Sequence, residues 1–248
     1  MKQHKNSSRR VALITGASRG LGKTVATFLA GQGFDLIVSA RHVDALAATA
    51  AELKQLDAHV LYLAGDVGQA RHRTQLVQAA RQLGRLDILF NNASTLGVTP
   101  LPTLAHYPLE QLEQALEINV LAPLGLIQEA LPLLQESGGL VVNISSDAAL
   151  GGYAGWGGYG ASKAALDLIS KTLANELHDV GVGVVSVDPG DMRTAMHQAA
   201  FPGEDISDRP LPDVTLPFWA WLLAQCPVDV SGQRYQAQGE IWEGSHQL

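Results

Sequence analysis

The stretch Val11-Ala12-Leu13-Ile14-Thr15-Gly16-Ala17-Ser18-Arg19-Gly20-Leu21-Gly22 is an apolar run that breaks into glycines and then resumes as a helix-like pattern reaching Gly31. A strand, a tight turn and a helix are predicted in that order. Backbone amides at such a helix start point outward together, forming a cradle for an anion such as a pyrophosphate. The glycine spacing is TGxxxGxG rather than GxGxxG, so the strand-turn-helix setting carries the reading rather than the glycines alone. Gly22-Lys23-Thr24 also resembles the end of a GxxxxGK[ST] phosphate loop. That pattern demands glycine at position 17, where the chain has Ala17, and Gly16 is one residue out of register. Lys23 then reads as a solvated first-turn residue.

Outward from this turn, short runs rich in Val, Ile and Leu alternate with longer helix-like stretches. The alternation predicts an α/β fold, a Rossmann-like doubly wound parallel sheet of about seven strands with helices on both faces. Strands are expected at Val11–Thr15, Asp35–Ser39, Val60–Ala64, Asp87–Asn91, Leu140–Ser145 and Gly183–Asp188, with a short one near Tyr235–Ala237. Helices are expected at Leu21–Gly31, Val43–Gln55, Gln69–Leu83, Leu109–Gln135 and Tyr159–Val180. In the last of these, Leu166, Ile169, Leu173 and Leu177 form a stripe, read first as core and second as a subunit contact.

The 248 residues are read as one domain over 10–248 behind a disordered polar tail at 1–9. Pro202, Gly203, Pro210, Pro212 and Pro217 make Phe201–Pro217 too proline-rich for a regular helix, so a substrate loop is expected near 191–217. Ala148–Gly158 mixes five glycines with Tyr153 and Trp156 and reads equally as a flexible turn or a substrate-facing wall. Leu216–Leu223 is read, in order, as core, pocket cover or subunit contact.

A formal net charge of −7 argues against a broad basic surface, so no nucleic-acid partner is expected. Lys2, Lys5, Arg9 and Arg10 read as a solvated tail rather than a binding arm. No apolar stretch of signal-peptide length and no run of about 18 apolar residues is found, so no membrane partner and a cytoplasmic location are expected. Cys226, the sole cysteine, reads as a small packing residue. The eight histidines lack HExxH or close His/Cys spacing, and no metal is assigned.

The second strand ends Val38-Ser39-Ala40-Arg41, without the carboxylate that an NAD site uses to accept from the ribose 2′-hydroxyl. Arg41, helped by Arg19, can instead hold a 2′-phosphate through charge-assisted hydrogen bonds. NADP(H) is therefore expected to be preferred by about tenfold or more, with NAD(H) still possible; the alternative reading makes Arg41 a plain surface residue. Farther along, Tyr159 and Lys163 stand four residues apart, on one helical face, with Ser146 thirteen residues before the tyrosine. A phenol of pKa about 10 is a poor acid near neutrality, and the adjacent ammonium is expected to favour its ionisation. Such a pair suits general acid and base work on an alcohol or carbonyl.

Together these features resemble the short-chain dehydrogenase/reductase family in its single-domain members. The resemblance runs from Val11 to Ala237 and rests on Thr15 to Gly22, Asp66-Val67, Asn91-Asn92-Ala93, Asn119, the Ser146/Tyr159/Lys163 set, and Pro189-Gly190 with Thr194. It implies a cofactor site in which Gly16, Ser18, Arg19, Gly20, Leu21 and Gly22 form the phosphate loop. Asp66 and Val67 would border the adenine, Asn92 and Ala93 would line the groove, and Asn91 would steady the sheet. Pro189, Gly190, Met192 and Thr194 would close around the nicotinamide amide. The resemblance further implies that Tyr159 donates the proton, Ser146 bonds the carbonyl oxygen, Lys163 contacts the nicotinamide ribose and steadies the tyrosinate, and Asn119 holds a water passing protons toward Lys163. Hydride would leave the pro-S face. Without the family, Asp66 reads as a helix-capping carboxylate and Asn119 as a polar helix residue bonded to backbone.

The implied activity is the NADP(H)-dependent interconversion of a ketone or aldehyde with its alcohol, in a homodimer or homotetramer. Two alternatives stand beside it: an NADP(H)-binding regulator or scaffold with weak turnover, and a lyase or epimerase on the same fold. Pocket walls are expected at Thr95–Pro100, Leu150–Trp156 and Met192–Pro212, mostly apolar, which points to a medium-sized hydrophobic or aromatic carbonyl substrate. Three places depart from the family pattern. Ser94 stands where glycine is usual, and Asp147 follows the catalytic serine where a small apolar residue is usual; Ser94 either narrows the pocket or is a tolerated surface change, and Asp147 either binds a polar substrate group or is a tolerated surface change. Gly232-Gln233-Arg234-Tyr235-Gln236-Ala237 replaces an Asp-Gly-Gly ending.

Overall fold

Seven strands that read as near-continuous apolar runs assemble into one sheet in the computed structural model, which describes residues 9–242. They are Val11–Thr15 (β1), Asp35–Ala40 (β2), Val60–Ala64 (β3), Ile88–Asn91 (β4), Leu140–Ile144 (β5), Gly183–Asp188 (β6) and Arg234–Gln236 (β7). Their order is β3-β2-β1-β4-β5-β6-β7, with every pairing parallel. Val11 lies opposite Asp35 on one side of β1, and Ala12 lies opposite Ile88 on the other. The strand order therefore reverses at β1, and a crevice opens beyond the carboxyl ends of β1 and β4.

Helices Gly20–Gly31 (α1), Val43–Lys54 (α2), Ala70–Leu83 (α3), Leu109–Leu116 (α4), Ala122–Ser137 (α5), Gly157–Leu177 (α6), Ala195–Ala200 (α7) and Leu216–Leu223 (α8) follow the sheet. Alternate residues of β1 feed two cores, because successive strand side chains point to opposite faces. Ala12 and Ile14 pack with residues of α1, α2 and α8, whereas Val11 and Leu13 pack with residues of α3, α5 and α6. The two edge strands, β3 and β7, alternate buried with more open positions, since each has one flank without a neighbour.

The expected elements are present with three local differences. The long helix expected at Leu109–Gln135 is interrupted by a π-helical turn at Glu117–Leu121 and continues to Ser137. By length and composition this stretch, Leu109–Ser137, could cross a membrane, with a mean hydropathy of 1.2, which the sequence reading did not anticipate. Its Leu126, Ile127, Ala130 and Leu134 are buried in the core shared with α3, which accounts for part of its apolar content, while Leu109 and Leu121 are exposed. Within 191–217, α7 and a 3₁₀ turn at Pro212–Thr215 replace a featureless loop, and Pro217 sits in the first turn of α8, where its missing N–H costs nothing.

Leu216–Leu223 follows its core reading: Phe218, Trp219 and Leu222 are buried, and the Trp219 ring meets Phe90 edge-on at 5.1 Å. In the α6 stripe, Leu166 and Leu177 are buried and Leu173 packs against the core, while Ile169 is half-buried. Cys226 is exposed rather than packed, because it lies in the turn beyond α8. Residues 1–8 of the expected tail lie outside the described residues.

Candidate active site

A continuous cleft of about 1070 Å³ runs along the carboxyl ends of the strands. At its phosphate end, the turn after β1 is packed too tightly for side chains. Gly16 has φ +67°, and a Cβ on Gly22 would lie 2.4 Å from the Gly16 carbonyl oxygen. Asn92 locks this turn by donating from Nδ2 to the carbonyls of Thr15 (2.9 Å) and Gly16 (3.2 Å). No side chain caps α1 and no acidic residue occupies its first turn, so the early amides are left for an outside anion. Gly16, Ser18, Arg19, Gly20 and Leu21 line the cleft; Gly22 is buried just behind them.

Arg19 and Arg41 are exposed at the rim of this end and, among the described residues, have no carboxylate within ion-pair distance. Lys23, by contrast, is paired with Glu52 at 2.8 Å, which fits the solvated reading. The donor set therefore suits a phosphorylated dinucleotide: helix amides for its pyrophosphate and two free guanidiniums for a further phosphate. Asp66 lines the cleft with Val67 and does not cap the next helix: its Oδ1 accepts from the Gly68 amide at 2.9 Å, in the turn ahead of α3, which has no side-chain cap. Ala93 also lines the cleft. Asn91 is turned into the sheet, donating to Asn143 Oδ1 at 2.8 Å, where it steadies the strands.

At the other end, Ser146 leaves β5 as the cap of a 3₁₀ turn, and α6 begins two residues before Tyr159. Tyr159 and Lys163, one helical turn apart, are both buried and both line the cleft with Ser146. Lys163 Nζ donates to the Ile144 carbonyl at 2.7 Å and lies 5.5 Å from the Tyr159 ring centroid. The expected lowering of the tyrosine pKa by the lysine is not what the fold shows. Burial raises the phenol well above its usual value, hydrogen bonding to Ser146 and Ser94 opposes this, and the charges of Asp188 and Asp147 raise it further. Burial also pushes Lys163 down to about 8, because a cation stripped of water is disfavoured. Desolvation thus dominates both members of the pair.

Asn119 sits in the π-helical turn, is completely buried, and does not line the cleft. Its Oδ1 accepts from Ser94 Oγ (3.0 Å) and the Thr95 amide (2.9 Å). Its Nδ2 donates to the Thr95 carbonyl (2.8 Å) and Ser162 Oγ (2.9 Å). All of the amide's donors and both oxygen lone pairs are engaged, so the side chain clamps the 94–95 loop to α6 rather than offering an atom to a water. Ser94 is correspondingly no neutral surface change: its hydroxyl links Asn119 to the Tyr159 hydroxyl.

Pro189, Gly190, Met192 and Thr194 line the cleft beyond β6. Gln238 holds their turn by donating from Nε2 to the carbonyls of Pro189 and Asp191, both at 2.9 Å. Thr194 also caps α7, its hydroxyl accepting from the His197 amide. Tyr153 and Trp156 of the glycine-rich stretch form part of the wall, where Trp156 meets Tyr159 at 5.8 Å and Phe201 at 6.0 Å.

One residue with a role here was not singled out from sequence. Arg234 of β7 donates from Nη2 to the Ser146 carbonyl at 2.7 Å, and its Nε and Nη2 meet Asp167 (3.0 Å) and Asp188 (3.3 Å). Burial raises the Asp188 carboxyl, and the Gly190 amide and Arg234 offset this. No sequence signal marks this network, because its members lie 46 to 88 positions from Arg234.

Comparison with known proteins places this geometry. Residues 10–205 match the family model described as short chain dehydrogenase. A diacetyl reductase, (S)-acetoin forming, of Staphylococcus epidermidis is 34% identical over 190 residues, covering 75% of this chain and 73% of that protein. The structure of a short chain dehydrogenase from Shigella flexneri complexed with NADP superposes with a TM-score of 0.86 at 31% identity, covering 93% of this chain and 97% of that one. A short chain dehydrogenase from Escherichia coli complexed with NADPH gives 0.85 at 30% identity, covering 95% of this chain and 100% of that one.

Proposed function

The chain belongs to the short chain dehydrogenase family, and from that membership we propose an NADP(H)-dependent reductase that interconverts a ketone or aldehyde with its alcohol. The reading is carried by the meeting of Ser146, Tyr159 and Lys163 at one end of a cleft whose other end presents Arg19 and Arg41. Two structural neighbours hold NADP or NADPH, which supports the phosphorylated cofactor. When bound, the reduced cofactor supplies a hydride for the carbonyl carbon.

The chain's own residues do the remainder. Arg19 and Arg41 hold the extra phosphate, and the early α1 amides hold the pyrophosphate. Ser146 donates a hydrogen bond to the carbonyl oxygen and stabilises the charge that develops there. Tyr159 gives its phenolic proton to the same oxygen, so the substrate gains hydrogen at carbon and at oxygen and leaves as the alcohol. Lys163 lies beside the resulting phenolate. A phenol kept protonated by burial enters turnover as an acid, which suits the reducing direction. A cytoplasmic location and a homodimer or homotetramer belong to this reading, the subunit contact alone supported by exposed Leu121 and Leu168 on the neighbouring π-turn and α6.

Tyr159→Phe is the decisive variant. NADPH consumption with a good carbonyl substrate is expected to fall by about 10² to 10⁴, with calorimetric NADPH affinity retained. Wild-type turnover in that variant removes Tyr159 from the role.

A further inference from the structure

Asp147 is the feature of the reacting end that the proposed reaction does not use. Its Oδ1 accepts from Ser146 Oγ at 3.0 Å, which puts a carboxylate directly beside the hydroxyl that would bond the substrate oxygen. It does not cap the 3₁₀ turn, because that task falls to Ser146, whose hydroxyl accepts from the Ala148 amide. It has no cation within ion-pair distance among the described residues, whereas Asp188 has Arg234 and Asp191 has Arg209. Its other partner is the Tyr153 hydroxyl, whose pKa is raised by the charge of Asp147 and, less, by Asp188 and Asp191. The substrate end of the cleft therefore holds one exposed carboxylate without a cationic partner, bonded only to the neutral hydroxyls of Ser146 and Tyr153.

A bare carboxylate at this spot opposes the proposed chemistry. Charge builds on the substrate oxygen and then on the phenol, and Asp147 already raises the Tyr159 pKa. A substrate that covers Asp147 also strips its water, which disfavours the complex unless the substrate brings a donor. We propose that the substrate carries its own hydrogen-bond donor, an ammonium above all, on the carbon next to the reacting carbonyl, and that Asp147 is its acceptor. The reach fits: once an ammonium takes the Asp147 carboxylate, the Ser146 hydroxyl turns its single proton to the substrate oxygen, which then lies within two hydrogen-bond lengths of Asp147 Oδ1, about 6 Å, with the donor on the neighbouring carbon between them. An ammonium there neutralises the carboxylate and eases loss of the phenolic proton. The rest of the compound would rest against Trp156 and Phe201, whose rings stand 6.0 Å apart on the same wall. The substrate class is thus an aryl or alkyl amino ketone.

The inference rests on the reductase reading, and its test separates the two. Phenacylamine and propiophenone differ only by an ammonium in place of a methyl group and are compared by NADPH consumption below neutral pH, using the full chain. The amino ketone is expected to have the higher kcat/KM by about tenfold or more. Asp147→Asn is expected to bring that ratio to within about threefold, and Asp147→Glu to keep it above that. An equal ratio in the wild type, or an unchanged ratio in Asp147→Asn, overturns the proposal. If neither ketone is consumed, the reductase reading fails by itself. Calorimetric titration of phenylethanolamine and phenylpropanol into the NADP(H)-loaded protein then decides: tighter binding of the amine that is lost in Asp147→Asn upholds the acceptor role, and equal binding overturns it.

Discussion

Lys163 shows what a reactive residue costs a fold. Its pKa falls from 10.5 to about 8 because burial disfavours the ammonium, and the charge of Asp167 only partly compensates. With a native pKa below the unfolded one, the penalty is full below about 8 and fades as pH rises toward 10.5, where both states are neutral. Lys163→Met is therefore expected to raise the melting temperature of the cofactor-free protein at neutral pH, by about 2–6 °C, while abolishing NADPH-dependent turnover. An unchanged or lower melting temperature contradicts the burial account. The identity of this residue was legible from its spacing to Tyr159; its ionisation was not, because desolvation depends on walls contributed by distant segments. Asn119 is the complementary case. Its place in the motif series was visible, but only the fold shows that Ser94, Thr95 and Ser162 occupy the whole amide.

At the level of elements, β7 reaches the reacting end only through Arg234. This short edge strand orders the backbone of Ser146 and counters Asp188, whose charge raises the tyrosine pKa. A charge-assisted hydrogen bond is typically worth about 1.5–3 kcal/mol. Arg234→Ala is expected to lower kcat by about tenfold or more and to move the pH–rate profile, with KM for NADPH little changed; Arg234→Lys recovers part of the loss. A variant whose kcat and pH profile match wild type makes the arginine merely structural. Strands and long helices were readable because buried parallel strands write themselves as apolar runs and glycines punctuate them. The π-helical turn and α7 were not, since neither leaves a periodic signature over so few residues. The same limit hid β7's function: the residues it joins are neighbours only after the sheet has closed.

Taken whole, the molecule carries a net charge of −7 yet must attract a dinucleotide that is itself an anion. It does so by setting two unpaired cations, Arg19 and Arg41, at the phosphate end of the cleft, while at the other end Asp188 and Asp191 are paired with Arg234 and Arg209 and Asp147 lacks a cation among the described residues. Arg41→Ala is expected to weaken NADPH binding by about tenfold while leaving NADH affinity within about twofold, as measured by calorimetry. Equal losses for both cofactors would assign the arginine to general attraction rather than to the added phosphate. Neither partner of this cleft can be accommodated symmetrically. Because Ser94, Thr95 and Ser162 engage the whole Asn119 amide, the wall holding Ser94 and Thr95 is braced from within the protein, which lowers the entropy cost of ordering it around a ligand. Whatever yielding is needed for entry and exit falls on the facing side, where the chain between α7 and α8 has little regular structure.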